Sequence, residues 1–266
     1  MVKDRHDITF FYKLYGIFMQ IDSVASIVYG RNRFLIKSFF DFYLKMANKK
    51  VNPDDRARLK NDWKEYVKLR GHCKVLFFEN TTRHSNYLPT FENDPSLTQE
   101  FLHLAKAVEY YQKWRKSLSK EEIKKIYIAN TKERHAYYAN NSLEKIDELV
   151  ESCETTTMQN NQILKQTLIE FHNAISHLHA VILYSGEANK TRAKNHFIRG
   201  ALDSYKALIK DYYHLLSDES KKLEADRIRK LRKMEYQNIG NDGNKKTIFD
   251  EYENIAQDIL RLKNSK

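Results

Sequence analysis

No proline follows Pro95, and within that proline-free stretch an apolar period runs from Ser142 to Ser217. Proline removes a backbone donor and clashes with the preceding helical turn, so its absence leaves a long chain free to be helical. The apolar positions step by three and four from Leu143 through Ile146, Val150 and Cys153, and on to Phe171, Ala174, Leu178 and Val181. That spacing predicts one helix from Ser142 to about Tyr184, a turn at Ser185-Gly186, and a second helix from about Asn189 to Leu216. The middle of the first arm, Glu154 to Gln162, is polar and β-branched, so the helix either crosses a gap there or breaks. Gly200 beside Ala201 predicts a close helix–helix approach on the second arm.

The remainder of the chain repeats the same theme. Phe11, Leu14, Tyr15, Phe18 and Ile21 place an apolar face on a helix over residues 5–29, and Leu35, Phe39, Phe42 and Tyr43 place another over 31–48. Asn52-Pro53-Asp54-Asp55 is a helix start: a capping side chain, a proline at the first helical position and acids at the positive end of the dipole. Ser96-Leu-Thr-Gln99 and Ser119-Lys-Glu-Glu122 match the capping box. Cys73–Phe78 is a short apolar run, readable as a strand or a buried connector, and residues 79–95 carry two prolines and no period. Gly240-Asn-Asp-Gly243 marks a turn before a last helix with Ile248, Phe249, Tyr252, Ile255 and Ile259. With 7 Gly and 3 Pro in 266 residues, far below average usage, the expected class is all-α. The expected layout is a basic, aromatic-rich helical region over 1–88 and an antiparallel helical bundle over 96–266, built on the 142–217 hairpin.

The formal net charge is +11 and the pI is about 9.3. The charge is uneven: residues 1–78 carry a net +8, residues 141–185 a net −4 and residues 186–266 a net +5. Internal charge complementarity accounts for part of this, and a cationic surface for nucleic acid or anionic lipid is the sharper reading. Candidate nucleic-acid contacts are Arg31, Arg33, Lys37, Arg56, Arg58, Lys60 and Arg134, with Tyr137 as a stacking ring. The two cysteines, Cys73 and Cys153, have no metal-site or disulfide spacing, which fits a reducing, cytoplasmic setting. The apolar run Ile8–Tyr29 is interrupted by Lys13, Gln20 and Asp22, so no membrane span is expected.

His172, His177 and His179 crowd one arm of the hairpin and His196 sits on the other. Folding about Gly186 brings His179 roughly opposite His196, with Asp203 beyond it. A metal or acid–base centre then becomes geometrically conceivable, although helical metal sites ordinarily offer a carboxylate three or four residues from the histidine. Neither a metal nor a cofactor is expected. Arg199, Asp203 and Lys206 share a face, either as an ion-pair ladder or, with Arg192 and His196, as a phosphate-positioning face.

The segment His196-Phe-Ile-Arg-Gly-Ala-Leu-Asp-Ser-Tyr-Lys206-Ala-Leu-Ile resembles a helix of HEPN-type domains. That resemblance implies a helical bundle, often dimeric, of the kind found in prokaryotic defence and toxin–antitoxin systems, where many members are ribonucleases. Carried onto this chain, it implies a site at His196, Arg192, Arg199 and Asp203. The family's catalytic pattern, Arg followed by four to six residues and a His, is absent here. The nearest case, Arg192-Ala-Lys-Asn-His196, has three intervening residues. The expectation is therefore a non-enzymatic helical binding or assembly protein with a basic surface. It would engage a protein partner or a second copy of itself, with nucleic acid as a further partner. A HEPN-like ribonuclease or RNA-binding defence protein is the alternative.

Overall fold

The computed structural model describes residues 2–21, 33–69, 94–138, 163–184, 186–238 and 245–264. Every regular element among them is an α-helix: α1 (Val2–Ile21), α2 (Arg33–Ala47), α3 (Pro53–Leu69), α4 (Pro95–Ser117), α5 (Lys120–Tyr138), α6 (Lys165–Tyr184), α7 (Glu187–Leu215), α8 (Asp218–Gln237) and α9 (Lys245–Asn264). The chain is all-α, its helices packed against one another. The 73–78 run, the polar middle of the long apolar seam and the Gly240–Gly243 turn lie outside the described residues.

The helix starts follow their local chemistry. At α3 the Asn52 side chain accepts from the Asp55 amide at 2.9 Å and the Asp55 carboxylate accepts from the Asn52 amide at 3.0 Å, a reciprocal cap. Ser119 and Glu122 do the same at α5, at 3.2 and 2.8 Å. At α4 the box expected at Ser96 is displaced. Pro95 takes the first helical position, and Asp94 is the cap, accepting from the Leu97 amide at 3.0 Å and from the Ser96 hydroxyl at 3.0 Å. A proline's missing N–H costs nothing at that position, so the helix gains two residues at its start.

Two compact units are assembled from non-consecutive stretches. One comprises Met1–Lys106 with Ile163–Asp203, the other Ala107–Gln162 with Ser204–Lys266. Two of the three boundaries, at 106/107 and 203/204, fall inside continuous helices, α4 and α7.

In the first unit α2 turns back on α3, with Ser38 donating to Asp62 at 2.6 Å and Lys45 paired with Asp55. α1 lies across them, its Arg56 partner held by the buried Asp7. Between the helices is an aromatic core. Phe11, Tyr15, Phe18, Phe39, Phe40 and Tyr43 are all at most 2% exposed, and their rings meet mostly tilted or edge-on, as the ring quadrupole favours. Phe101 of α4 continues this core, 4.7 Å from Tyr43, 5.3 Å from Phe197 and 5.7 Å from Phe40 between ring centroids. Tyr15 closes it with a buried 2.6 Å hydrogen bond to His172 Nδ1. The N-terminal aromatics at helical spacing are thus core.

In the second unit α8 and α9 run antiparallel, tied by Arg227 to Asp258 and by the Tyr252 hydroxyl donating to Glu235 at 2.7 Å. Tyr252 stacks on Tyr205 of α7 at 5.9 Å, and Lys263 of α9 is paired with Glu122 of α5. Asp211 of α7 is buried, and burial raises its pKa to about 6. Arg115, Asn130 and Lys210 pull the other way. Arg115 stands 3.6 Å off. Because the folded value exceeds the ordinary one, the fold holds an extra proton between about pH 4 and 6. Stability falls as pH rises through that window, and the penalty is constant above it. Urea midpoints for the wild type and Asp211→Asn across pH 4 to 8 test this. The wild type loses ground to the variant up to about pH 6, and the gap is flat beyond. A gap that narrows with rising pH would show instead that Arg115 keeps the carboxylate ionised.

Among the described residues no helix is long and apolar enough to cross a membrane.

Candidate functional site

Two of the four histidines of the α6–α7 hairpin converge, in a register that differs from the expected one. His177, rather than His179, faces His196: their rings stack with centroids 5.3 Å apart and planes 17° from parallel. Successive helical side chains are about 100° apart, so two residues of displacement move His179 to another face. There it is buried and its pKa is lowered by burial. His172 points to a third neighbour, the Tyr15 hydroxyl, whose own ionisation is pushed up by burial.

The partner of His196 is a carboxylate. Its Nδ1 lies 2.6 Å from Glu170 Oε2, and Glu170 is itself buried and bonded to the Gln166 amide at 3.1 Å. This imidazole–carboxylate pair is the centre of the site. His177 completes it: burial lowers its pKa, the hydrogen bond to Asn189 opposes, and the fields of His196 and Arg192 add to the lowering. Its Nδ1 stands 3.2 Å from Asn189 Oδ1. At neutral pH His177 is therefore an uncharged ring stacked on its neighbour.

Gly200 makes this approach geometrically open. A Cβ at position 200 would stand 3.0 Å from Leu104 Cδ1 and 3.2 Å from Glu170 Cβ. The absent side chain lets α4 and α6 close onto α7, which is the close approach that Gly200-Ala201 foretold. Glu170 itself was missed in the sequence. The signal was available, since it is the one acidic residue between Glu154 and Glu187. A lone carboxylate in a buried apolar seam needs a partner.

Arg192 and Arg199 are exposed on α7, one on either side of His196 in sequence. Asp203 lies seven residues past His196, about 10 Å along the axis at 1.5 Å per residue, and has an interaction of its own. Lys206 of the expected ladder is bound to Glu235 at 2.6 Å. Groups of three or more His, Cys, Asp or Glu side chains able to hold a metal are absent among the described residues.

The predicted nucleic-acid contacts divide. Arg56 is paired with Asp7 and Lys37 with Asp41 at 2.7 Å, so each is already balanced by an acid. Arg58 and Lys60 are exposed on α3. Arg31 lies outside the described residues, as do the side chains of Arg33, Arg134 and Tyr137.

A second basic feature, not singled out in the sequence, lies on α8. From Arg227 to Gln237 there are five cations and one acid. That acid, Glu235, is turned inward. Burial works against its charge, but hydrogen bonds from Lys206 and Tyr252 and the field of Arg232 hold its carboxyl below the usual range. Lys222, Arg229, Lys230 and Lys233 are exposed, with Lys222, Arg229 and Lys233 at helical spacing on one face.

Comparison of the chain with protein-family models, with curated proteins and with solved structures finds no match.

Proposed function

We propose that the protein is a non-enzymatic helical binding protein that contacts nucleic acid through its exposed basic helix faces, chiefly that of α8. One observation supports this most directly: the last three turns of α8 project four cations to solvent while their single acid is half-buried, held by Lys206, Arg232 and Tyr252. A phosphate backbone meeting that face displaces counterions without first breaking an ion pair at every contact. The α3 face with Arg58 and Lys60 adds charge of the same sign. The Glu170–His196 pair is, in this reading, an interhelical tie whose carboxylate is consumed by packing.

The test is a titration of the full chain against a fluorescent single-stranded and a double-stranded oligonucleotide over a range of salt. Binding that weakens linearly with log salt is expected. Reversing Lys222, Lys230 and Lys233 together to glutamate should weaken it at least tenfold and flatten the slope, with the circular dichroism unchanged. Affinity that ignores salt, or survives the reversal, would overturn the reading. The oligonucleotides are recovered and sized afterwards. RNA cut by the wild type and left whole by His196→Ala would favour the alternative, a HEPN-like ribonuclease, which rests on the same stacked His177–His196–Glu170 cluster. Light scattering on the same samples reports whether the chain binds as a monomer or with a second copy of itself.

A further inference from the structure

Tyr236, in the last turn of α8, is 77% exposed. Its ring and hydroxyl make no ring contact, cation contact or hydrogen bond among the described residues. An exposed tyrosine alone is ordinary, but this one is rigidly mounted. Glu235, its neighbour in sequence, is held by Lys206 of α7 at 2.6 Å and by Tyr252 of α9 at 2.7 Å. Successive helical side chains point about 100° apart, so anchoring Glu235 inward fixes Tyr236 outward. The turn itself is closed by Asn238, whose side-chain amide donates to the Met234 carbonyl at 2.7 Å. One turn back stands Lys233, and a further turn back Lys230, both exposed and neither ion-paired among the described residues. The neighbouring carboxylates are taken, Asp226 by Arg229 and Glu235 by Lys206 and Arg232.

Residues three apart on a helix have Cβ atoms about 5–6 Å apart, so Lys230, Lys233 and Tyr236 form a short row of two cations and a ring. A lysine ammonium holds a phosphate as a point charge, and a tyrosine face takes a base by stacking. Together they match one nucleotide, a phosphate and the base attached to it. In a duplex the base faces are covered by their neighbours and only edges reach the grooves, so the ring has nothing to stack on. An unpaired strand offers both phosphate and base face. Tyrosine also has only two side-chain torsions to fix on binding. We propose that this end of α8 binds unpaired nucleic acid in preference to duplex, Tyr236 stacking on a base while Lys233 and Lys230 hold the adjoining phosphates. The proposal rests on the nucleic-acid reading of α8 and adds to it the class of strand.

The full chain is titrated, over a range of salt, against fluorescein-labelled probes of equal length: a thymidine strand, a strand of abasic sites with the same phosphates, and a duplex. The wild type should bind the thymidine strand about fivefold or more tighter than either other probe, as expected for stacking a base on one ring. Tyr236→Ala should reduce that preference to about one, and Tyr236→Trp should restore it. Both side chains replace an exposed one, so the helical spectrum should be unchanged. Lys233→Gln should instead weaken all the probes and lower the slope of log affinity against log salt by about one. Salt-dependent binding without a preference for the thymidine strand over the abasic strand and the duplex would overturn this proposal and leave the nucleic-acid reading standing. So would a preference that survives Tyr236→Ala. No binding to any probe, or binding indifferent to salt, would overturn both.

Discussion

Phe101→Ala lowers the stability of the protein by about 3–5 kcal/mol, the range for removing a fully buried aromatic ring. Phe101 is 0% exposed and sits where three other helices meet α4. Its ring is 5.7 Å from Phe40, 4.7 Å from Tyr43, 6.3 Å from Phe171 and 5.3 Å from Phe197. Those neighbours are large rings held by one another, so they collapse poorly into the space left behind, and the cost lies toward the upper end. For a chain of this size the loss corresponds to roughly 10 °C in melting temperature. Thermal unfolding followed by circular dichroism measures it. Phe101→Leu, which keeps most of the volume, should recover more than half of the loss. A Phe101→Ala protein that melts within a few degrees of the wild type would show that the α1–α2–α4–α6–α7 aromatic core does not carry the first unit.

Gly200→Val has the next largest effect and adds a local readout. The Cβ alone would meet Leu104 and Glu170 at 3.0 and 3.2 Å, and the two γ-methyls go further into the same space. Overpacking of a tight contact costs about 1–3 kcal/mol. A β-branched residue within a helix gains little in return. Gly200→Ala tests the gradation: it gains up to about 1 kcal/mol of helix propensity against a milder clash, so it should fall between the wild type and the valine variant. The clash at Glu170 is at the root of the side chain that holds His196. The valine variant should therefore also disturb the Glu170–His196 bond, seen as a shift of the His196 ring signals in nitrogen-edited NMR. Unchanged His196 signals in a destabilised Gly200→Val protein would place the strain on Leu104 alone.

Much of the fold was legible because its signals are local. Helix starts at Pro53 and at Ser119 are written in three or four consecutive residues, and the N-terminal rings at spacings of three and four had to share a face. Where a local rule was applied two residues too late, at Ser96, the competing rule for proline at the first helical position decided. The site was half legible. Composition gathered histidines on the hairpin, yet which ring meets His196 depends on helix phase across a turn, and an error of two residues rotates the wrong histidine into place. Glu170 carries no motif. Its role follows only from the cost of burying a charge, an argument that becomes decisive once burial is known. The two compact units were least legible, because each gathers stretches about forty or more residues apart, and no local pattern records that pairing.

Glu235 makes hydrogen bonds with Lys206 at 2.6 Å, Arg232 at 2.6 Å and Tyr252 at 2.7 Å. Lysine and arginine side chains ordinarily surrender about 1.5–2 kcal/mol of rotamer freedom when a ligand immobilises them. Lys206 and Arg232 have already surrendered it during folding, both to one carboxylate. That cost falls on the packing of α8 against α7 and α9. Any substitution that loosens Glu235 thus weakens both helix contacts and frees two cations by the same motion.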